Sequence, residues 1–136
     1  MKILLAVDGS KSALQAVDFV VRQAAEAKQK PQIELVTVHR TVPKLPGMGA
    51  AVGKAQIERY YEEEGAAALS EAKKRLDAAR LTYEPRVLVG DVADTLLKHA
   101  KKSGCDLICV GSPQALIGSV ATKVLHASGI PVLLVK

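Results

Sequence analysis

Short apolar runs alternate with longer amphipathic segments along the whole chain. Five runs bounded by turn residues or charges predict buried strands, at residues 3–7, 33–38, 86–89, 107–110 and 132–135. Between them lie four segments in which apolar residues recur every three or four positions and charged residues occupy the other face, a pattern that predicts helices. In the first helix these apolar positions are Ala13, Ala16, Val17, Val20 and Ala24.

Strands that alternate with helices predict a parallel sheet, because each parallel crossover is right-handed and needs a helix to return. Five strands and four helices predict a doubly wound α/β fold with helices on both faces and the strand order 3-2-1-4-5. The chain has 136 residues, which is near the commonest size of one domain, so we expect a single domain over residues 1–136.

The predicted strand order also predicts the place of a ligand site. The order reverses between strands 1 and 4, and open α/β sheets bind ligands at such a reversal, outside the carboxyl ends of the strands. Two segments meet there, residues 8–10 after strand 1 and residues 111–119 after strand 4. A Gly-Ser pair that opens a helix, such as Gly118-Ser119, can present N–H groups and a hydroxyl to a phosphate.

We therefore select eight candidate binding residues around this crevice: Asp8, Gly9, Ser10, Val38, Gly111, Gly118, Ser119 and Val120. Asp8 could hold a ribose hydroxyl or a metal, although no metal site is assigned. A purely structural interpretation stays open beside this one. Under it, Gly111 serves the turn after strand 4, Ser119 caps the last helix and Asp8 caps the first.

Charge and cysteine content exclude several classes of protein. The net charge is +5, but basic and acidic residues are mixed along the helices and aromatic residues are scarce, so we expect no nucleic-acid partner. Cys105 and Cys109 are predicted to be buried thiols in a reducing compartment. The amino-terminal apolar run is too short for a signal peptide and no segment is long enough to span a bilayer, so we expect a cytoplasmic protein without a membrane partner.

Three histidines and one predicted loop are further candidates for a functional role. His39 ends strand 2 close to the crevice, so it either touches a ligand or lies on the surface, whereas His99 and His126 have no partners at metal-ligand spacing and are assigned no role. The segment from Thr41 to Gly53 contains two prolines and three glycines and predicts an irregular loop. It could close over a ligand or simply connect two elements.

The chain resembles the universal stress protein family over essentially its whole length. The matching pieces are residues 3–10, Gly90-Asp91, residues 110–112, residues 118–125 and residues 130–135. The resemblance implies a cytoplasmic protein made under stress or growth arrest, usually a homodimer and not an enzyme. It also implies ATP or AMP as a candidate ligand, because some members of the family bind these nucleotides.

The nucleotide-binding members carry the motif G-x2-G-x9-G-[S/T], from which this chain departs. Gln114 stands where the second glycine belongs, and Gly118 follows Gly111 by seven residues where the motif requires thirteen. Pro113 removes a further N–H donor. We therefore expect a stress-response protein with weak or lost ATP binding, and the alternative is an ATP- or AMP-binding module that uses the same crevice.

The last predicted strand lies at a sheet edge and is wholly apolar, so it offers unpaired backbone groups to another chain. We expect a homodimer through the segment that begins at Ile130 and ends at Val135, since antiparallel pairing about a two-fold axis closes the assembly.

The sequence fits other protein classes of similar architecture less well. The chain lacks the acceptor aspartate of a receiver domain, the G-x-G-x-x-G of a dinucleotide-binding enzyme and the G-x-S-x-G of a hydrolase.

Overall fold

The five predicted strands form one parallel sheet in the order β3-β2-β1-β4-β5, so the predicted topology is confirmed. The computed structural model describes residues 1–41 and 53–136. The strands are β1 (Lys2–Ala6), β2 (Gln32–His39), β3 (Tyr83–Val89), β4 (Leu107–Gly111) and β5 (Val132–Val135). The helices are α1 (Lys11–Glu26), α2 (Lys54–Ala78), α3 (Val92–Lys102) and α4 (Ser119–Ala127).

The sheet separates two apolar cores. On one face, α1 and α2 pack over Leu5 and Leu35, and on the other face α3 and α4 pack over Leu4 and Val36. Successive residues of a strand point to opposite faces, so β1 supplies Leu4 to one core and Leu5 to the other, and both side chains are completely buried. This arrangement is the doubly wound α/β fold that the sequence predicts.

The two edges of the sheet differ in chemistry. β3 exposes Glu84, Pro85 and Arg86, and it begins three residues before the strand that we predicted. Charges and a proline are typical of an edge strand that resists pairing, and they hide its apolar pattern. β5 has the sequence VLLV, and all four of its residues are half-buried.

The turn from β1 into α1 depends on one glycine. Gly9 has a φ of 83°, which lies in the left-handed region that side chains disfavour. Ser10 then caps α1, because its Oγ accepts the Ala13 N–H at 3.2 Å. Asp8 therefore does not cap the helix. Its Oδ1 instead accepts the N–H of Ser10 at 2.9 Å and holds the turn.

Both cysteines are free and buried, as predicted. Burial raises the pKa of the Cys109 thiol to about 12, so this thiol stays protonated at neutral pH.

Across residues 1–41 and 53–136, no helix has both the length and the apolar character that crossing a membrane requires. The predicted loop from Thr41 to Gly53 falls almost entirely on residues 42–52, which lie outside the described residues.

Candidate functional site

A cavity of about 500 Å³ opens at the carboxyl ends of β1 and β4, where the strand order reverses. Its volume lies within the range of small-ligand pockets. All the candidate residues except Gly9 line it. The lining is Ala6, Val7, Asp8, Ser10, Ser12, Ala13, Val36, Val38, Arg40, Val92, Leu96, Val110, Gly111, Pro113, Gly118, Ser119, Val120 and Ala121.

The amino end of α4 presents backbone donors to this cavity. Gly118 is the N-cap, with φ −63° and ψ 158°, and no side chain caps the helix. Ser119 is thus the first residue of the helix and not its cap. The N–H groups of Ser119, Val120 and Ala121 have no partner within the helix, and all three residues line the cavity. The helix dipole adds partial positive charge at the same end.

The loop between β4 and α4 is held by a serine that the site prediction did not include. Ser112 is 1 % exposed, and its Oγ donates to the Leu116 carbonyl at 3.3 Å and accepts the Gly118 N–H at 3.1 Å. The signal in the sequence was a serine directly after a buried strand. The consequence is that the Gly118 amide, one of the donors expected for a phosphate, is already engaged.

An apolar wall faces these donors from the other side. Val36 and Val38 are alternate residues of β2, so they lie on the same face of the sheet, and that face borders the cavity. Val92 and Leu96 of α3 complete this wall. Arg40 is exposed at the rim and adds a positive charge that the sequence analysis did not single out.

His39 is not part of the cavity lining. It lies on the opposite face from its neighbours in β2, and its ring centroid is 5.3 Å from that of Tyr60 and 5.1 Å from that of Tyr61. Its Nδ1 is 2.8 Å from the Arg40 carbonyl, to which it donates. Of the two interpretations left open for His39, the structure thus favours the one without ligand contact.

An ion network joins α3 to α4 next to the cavity. Lys123 Nζ lies 3.2 Å from Asp91 Oδ2 and 3.3 Å from Asp94 Oδ1. Asp91 also caps α3 by accepting the Asp94 N–H at 3.1 Å, as predicted. That backbone hydrogen bond, followed by the one from Lys123, lowers the pKa of the Asp91 carboxyl. Hydrogen bonds to the Asp91 and Asp94 carboxylates in turn raise the pKa of Lys123.

A second polar cluster lies under α3, outside the cavity lining. Glu34 of β2 is only 3 % exposed, and its Oε1 accepts a hydrogen bond from His99 Nε2 at 3.0 Å. Arg86 Nε lies 3.6 Å from the same oxygen, and Ser103 Oγ lies 3.1 Å from His99 Nε2. His99, which the sequence analysis left without a role, therefore pairs with a buried carboxylate.

The chain matches the model of the Universal stress protein family over residues 1–136. It belongs to this family. Among its relatives, universal stress protein YxiE of Bacillus subtilis is 31 % identical over 99 % of this chain and 98 % of that protein. MJ0531 of Methanocaldococcus jannaschii is 29 % identical over 99 % of this chain and 81 % of that protein. The resemblance found in the sequence is confirmed.

Solved structures of universal stress proteins share the fold. A family member from Burkholderia pseudomallei has a TM-score of 0.77 and 29 % identity, over 98 % of this chain and 94 % of that chain. A universal stress protein in complex with cAMP has a TM-score of 0.71 and 28 % identity, over 100 % of this chain and 97 % of that chain. An AMP-bound family protein from Arabidopsis thaliana, at 17 % identity and a TM-score of 0.75 over 100 % and 91 % of the two chains, shows the fold alone.

Proposed function

We propose that this universal stress protein binds an adenine mononucleotide of the AMP or cAMP type in the cavity between β1 and β4, and that it binds ATP weakly. The observation that carries the proposal is that the first three residues of α4, Ser119, Val120 and Ala121, whose amides have no partner within the helix, line the same cavity as an apolar wall. A mononucleotide needs this combination of one anion site and one apolar surface. The cAMP complex of a relative at 28 % identity supports the choice of ligand.

The amino end of α4 is the proposed phosphate site. Unpartnered amides and the helix dipole both favour an anion there. The Ser119 hydroxyl lies on the first helical residue, where it can add one more donor. Val38 of β2 and Val92 of α3 are half-buried and line the cavity, and they offer the base an apolar surface.

Asp8 is the proposed partner of the ribose. It is exposed at the end of β1, between the phosphate site and the apolar wall. Its Oδ1 accepts the Ser10 N–H, so its other carboxylate oxygen is available to accept a hydrogen bond from a sugar hydroxyl.

A triphosphate finds fewer donors than the family motif supplies. Only six residues separate Gly111 from Gly118, and the amide of Gly118 already donates to Ser112 Oγ. Pro113 lines the cavity but carries no N–H. These features leave three amides at the amino end of α4. Three amides suit one phosphoryl group and disfavour a chain of three phosphoryl groups.

We also propose that the activity is binding rather than catalysis, in a cytoplasmic stress response. Isothermal calorimetry with adenosine, AMP, cAMP, and ATP with and without magnesium tests the binding. We expect AMP and cAMP to bind more tightly than both adenosine and ATP, and chromatography after a long incubation to return every nucleotide unchanged. A higher affinity for ATP than for AMP would contradict the proposal, and so would the absence of binding of both AMP and cAMP.

A homodimer through β5 is the proposed assembly. Its support is the contrast between the edges of the sheet, because β3 exposes charges and a proline while β5 presents a charge-free VLLV strand. An open apolar edge is a surface that soluble proteins usually cover. Pairing two copies of β5 about a two-fold axis would cover the β5 edge of each protomer.

A further inference from the structure

We propose that Ser112 is a positioning residue that limits the cavity to a single phosphoryl group. This inference rests on the proposed mononucleotide function, and it adds the residue that determines how many phosphates fit. Ser112 has no assigned ligand contact and does not line the cavity. Its effect is exerted through Gly118, the residue that begins α4.

Gly118 is held from both sides. Its N–H donates to Ser112 Oγ at 3.1 Å, and its carbonyl accepts the Thr122 N–H and the Thr122 Oγ1 hydroxyl, each at 2.9 Å. Ser112 Oγ also donates to the Leu116 carbonyl at 3.3 Å and thereby closes the loop upon itself. A chain of hydrogen bonds therefore runs from the end of β4 to the first turn of α4.

This arrangement, which we name the Ser112 clasp, has two consequences for a ligand. It removes the Gly118 amide from the set of phosphate donors, and it fixes the position of the next three amides, at residues 119–121. The apolar end of the loop faces outward, since the Leu116 side chain is 78 % exposed. The loop thus forms a short, closed connection instead of a cradle around additional phosphates.

The clasp itself can be tested without any ligand. Hydrogen exchange measured by NMR should show a protected Gly118 amide in the wild type, and Ser112→Ala should speed its exchange at least tenfold. Ser128→Ala is a matched control, because Ser128 Oγ also donates to a carbonyl and accepts an amide, both of Ile130, at 2.7 and 3.2 Å. Gly118 exchange that is unchanged by Ser112→Ala would overturn the inference.

The effect on ligands is tested by comparing adenosine, AMP and ATP in the same three proteins. In Ser112→Ala, AMP should lose about fivefold in affinity, the order expected for one positioned hydrogen bond, while adenosine keeps its affinity. The preference for AMP over ATP should shrink, because the Gly118 amide becomes available. Ser128→Ala should retain the wild-type ratios.

The outcomes separate this inference from the proposed function. Wild-type protein that binds neither AMP nor cAMP overturns both. Wild-type protein that binds AMP, together with unchanged AMP-to-adenosine and ATP-to-AMP ratios in Ser112→Ala, overturns the role of Ser112 alone. If the alanine variant does not fold, Ser112→Cys preserves the side-chain volume with a weaker hydrogen-bonding group, and it should shift the same ratios in the same direction.

Discussion

Gly111, the last residue of β4, lies directly against the carbonyl group of Ser12 in the first turn of α1. A Cβ atom at position 111 would overlap the carbonyl carbon and oxygen of Ser12 and would come within 2.9 Å of the Ala13 nitrogen. These are atoms of a helix backbone, which cannot move aside as a flexible side chain can. The approach of α1 to the sheet therefore requires glycine here, whatever ligand the neighbouring cavity holds.

We predict that Gly111→Ala lowers the free energy of unfolding by about 1–3 kcal/mol, the usual cost of forcing a methyl group into a packed site. Urea denaturation followed by circular dichroism measures the change. Gly129→Ala is the control, since a Cβ atom at Gly129 meets nothing within 4 Å. An unfolding midpoint for Gly111→Ala equal to that of the wild type would show that the contact with Ser12 can relax.

The sequence predicts the sheet and the place of the cavity because both follow from local patterns. Apolar runs and helical spacing define the elements, and the handedness of parallel crossovers leaves few possible topologies. The pattern fails at the start of β3, where Glu84 and Pro85 conceal the first residues of an edge strand that was predicted to begin at Arg86. Strand identity at an edge depends on hydrogen bonding to a neighbour, which a single-sequence pattern does not contain.

Contacts between distant residues could not be predicted in the same way. Glu34 and His99 are 65 positions apart, and only the packing of α3 on β2 brings them together. The Ser112 clasp is local, yet it depends on where the first turn of α4 lies. Arg40 was missed because it follows the end of β2, where no strand or helix pattern predicts the direction of a side chain.

Ser119→Pro tests the donors at the start of α4. Proline is tolerated at the first helical position, and Gly118 already has the extended backbone that a residue before proline prefers. The variant loses one amide and one hydroxyl while the helix is retained. We expect AMP affinity measured by calorimetry to fall about tenfold, since hydrogen bonds to charged groups are the stronger ones.

Lys54→Pro is the matched control for that experiment. It also places proline at a first helical position after a glycine N-cap, because Gly53 has φ −64° and ψ 151° and no side chain caps α2. Lys54 does not line the cavity. A similar loss of AMP affinity in both variants would point to a general effect of the proline and would count against the phosphate site.

The buried pair of Glu34 and His99 should contribute more to stability than an exposed pair of similar length. We predict that His99→Ala lowers the free energy of unfolding by about 1–3 kcal/mol, because a buried carboxylate loses its nearest hydrogen-bond donor and keeps only the contact with Arg86. A double-mutant cycle with Glu34→Ala, which removes the acceptor oxygen, measures the coupling. The cycle for Arg75 and Asp18, which lie 2.7 Å apart with partly exposed side chains, should give less than about 1 kcal/mol. Equal coupling energies would contradict this ranking.

The carboxyl of Asp91 should make stability depend on pH in a defined direction. Its pKa is lowered in the folded protein, so its contribution is complete above the ordinary pKa of an unfolded aspartate and is lost as the pH falls through the folded value. Asp91→Asn keeps a capping side chain but removes the charge. The difference in urea midpoint between the wild type and this variant should therefore disappear in acid.

The two causes of that pKa shift can be separated by NMR titration of the Asp91 carboxyl. The hydrogen bond from the Asp94 amide is the larger cause, and Lys123 is the next. In Lys123→Met the pKa of Asp91 should rise only part of the way to its ordinary value. A complete return would assign the whole shift to the lysine and would contradict the dominant role of the helix cap.

The proposed dimer can be tested at a single backbone position of β5. The carbonyls of Pro131 and Val135 accept hydrogen bonds from the β4 side, so the backbone groups of Leu134 face outward, since direction alternates along a strand. Leu134→Pro removes an outward N–H without removing a bond to β4. We expect a dimer for the wild type and a monomer for this variant in light scattering.

Leu134→Ala separates the backbone effect from the loss of the leucine side chain, because it shortens the side chain but keeps the N–H. It should remain dimeric if strand pairing supplies the contact, and circular dichroism should show that both variants are folded. A monomeric wild type would exclude the dimer. A folded Leu134→Pro variant that is still dimeric would place the interface elsewhere on the surface, since an edge that lacks this donor cannot pair continuously with a second copy.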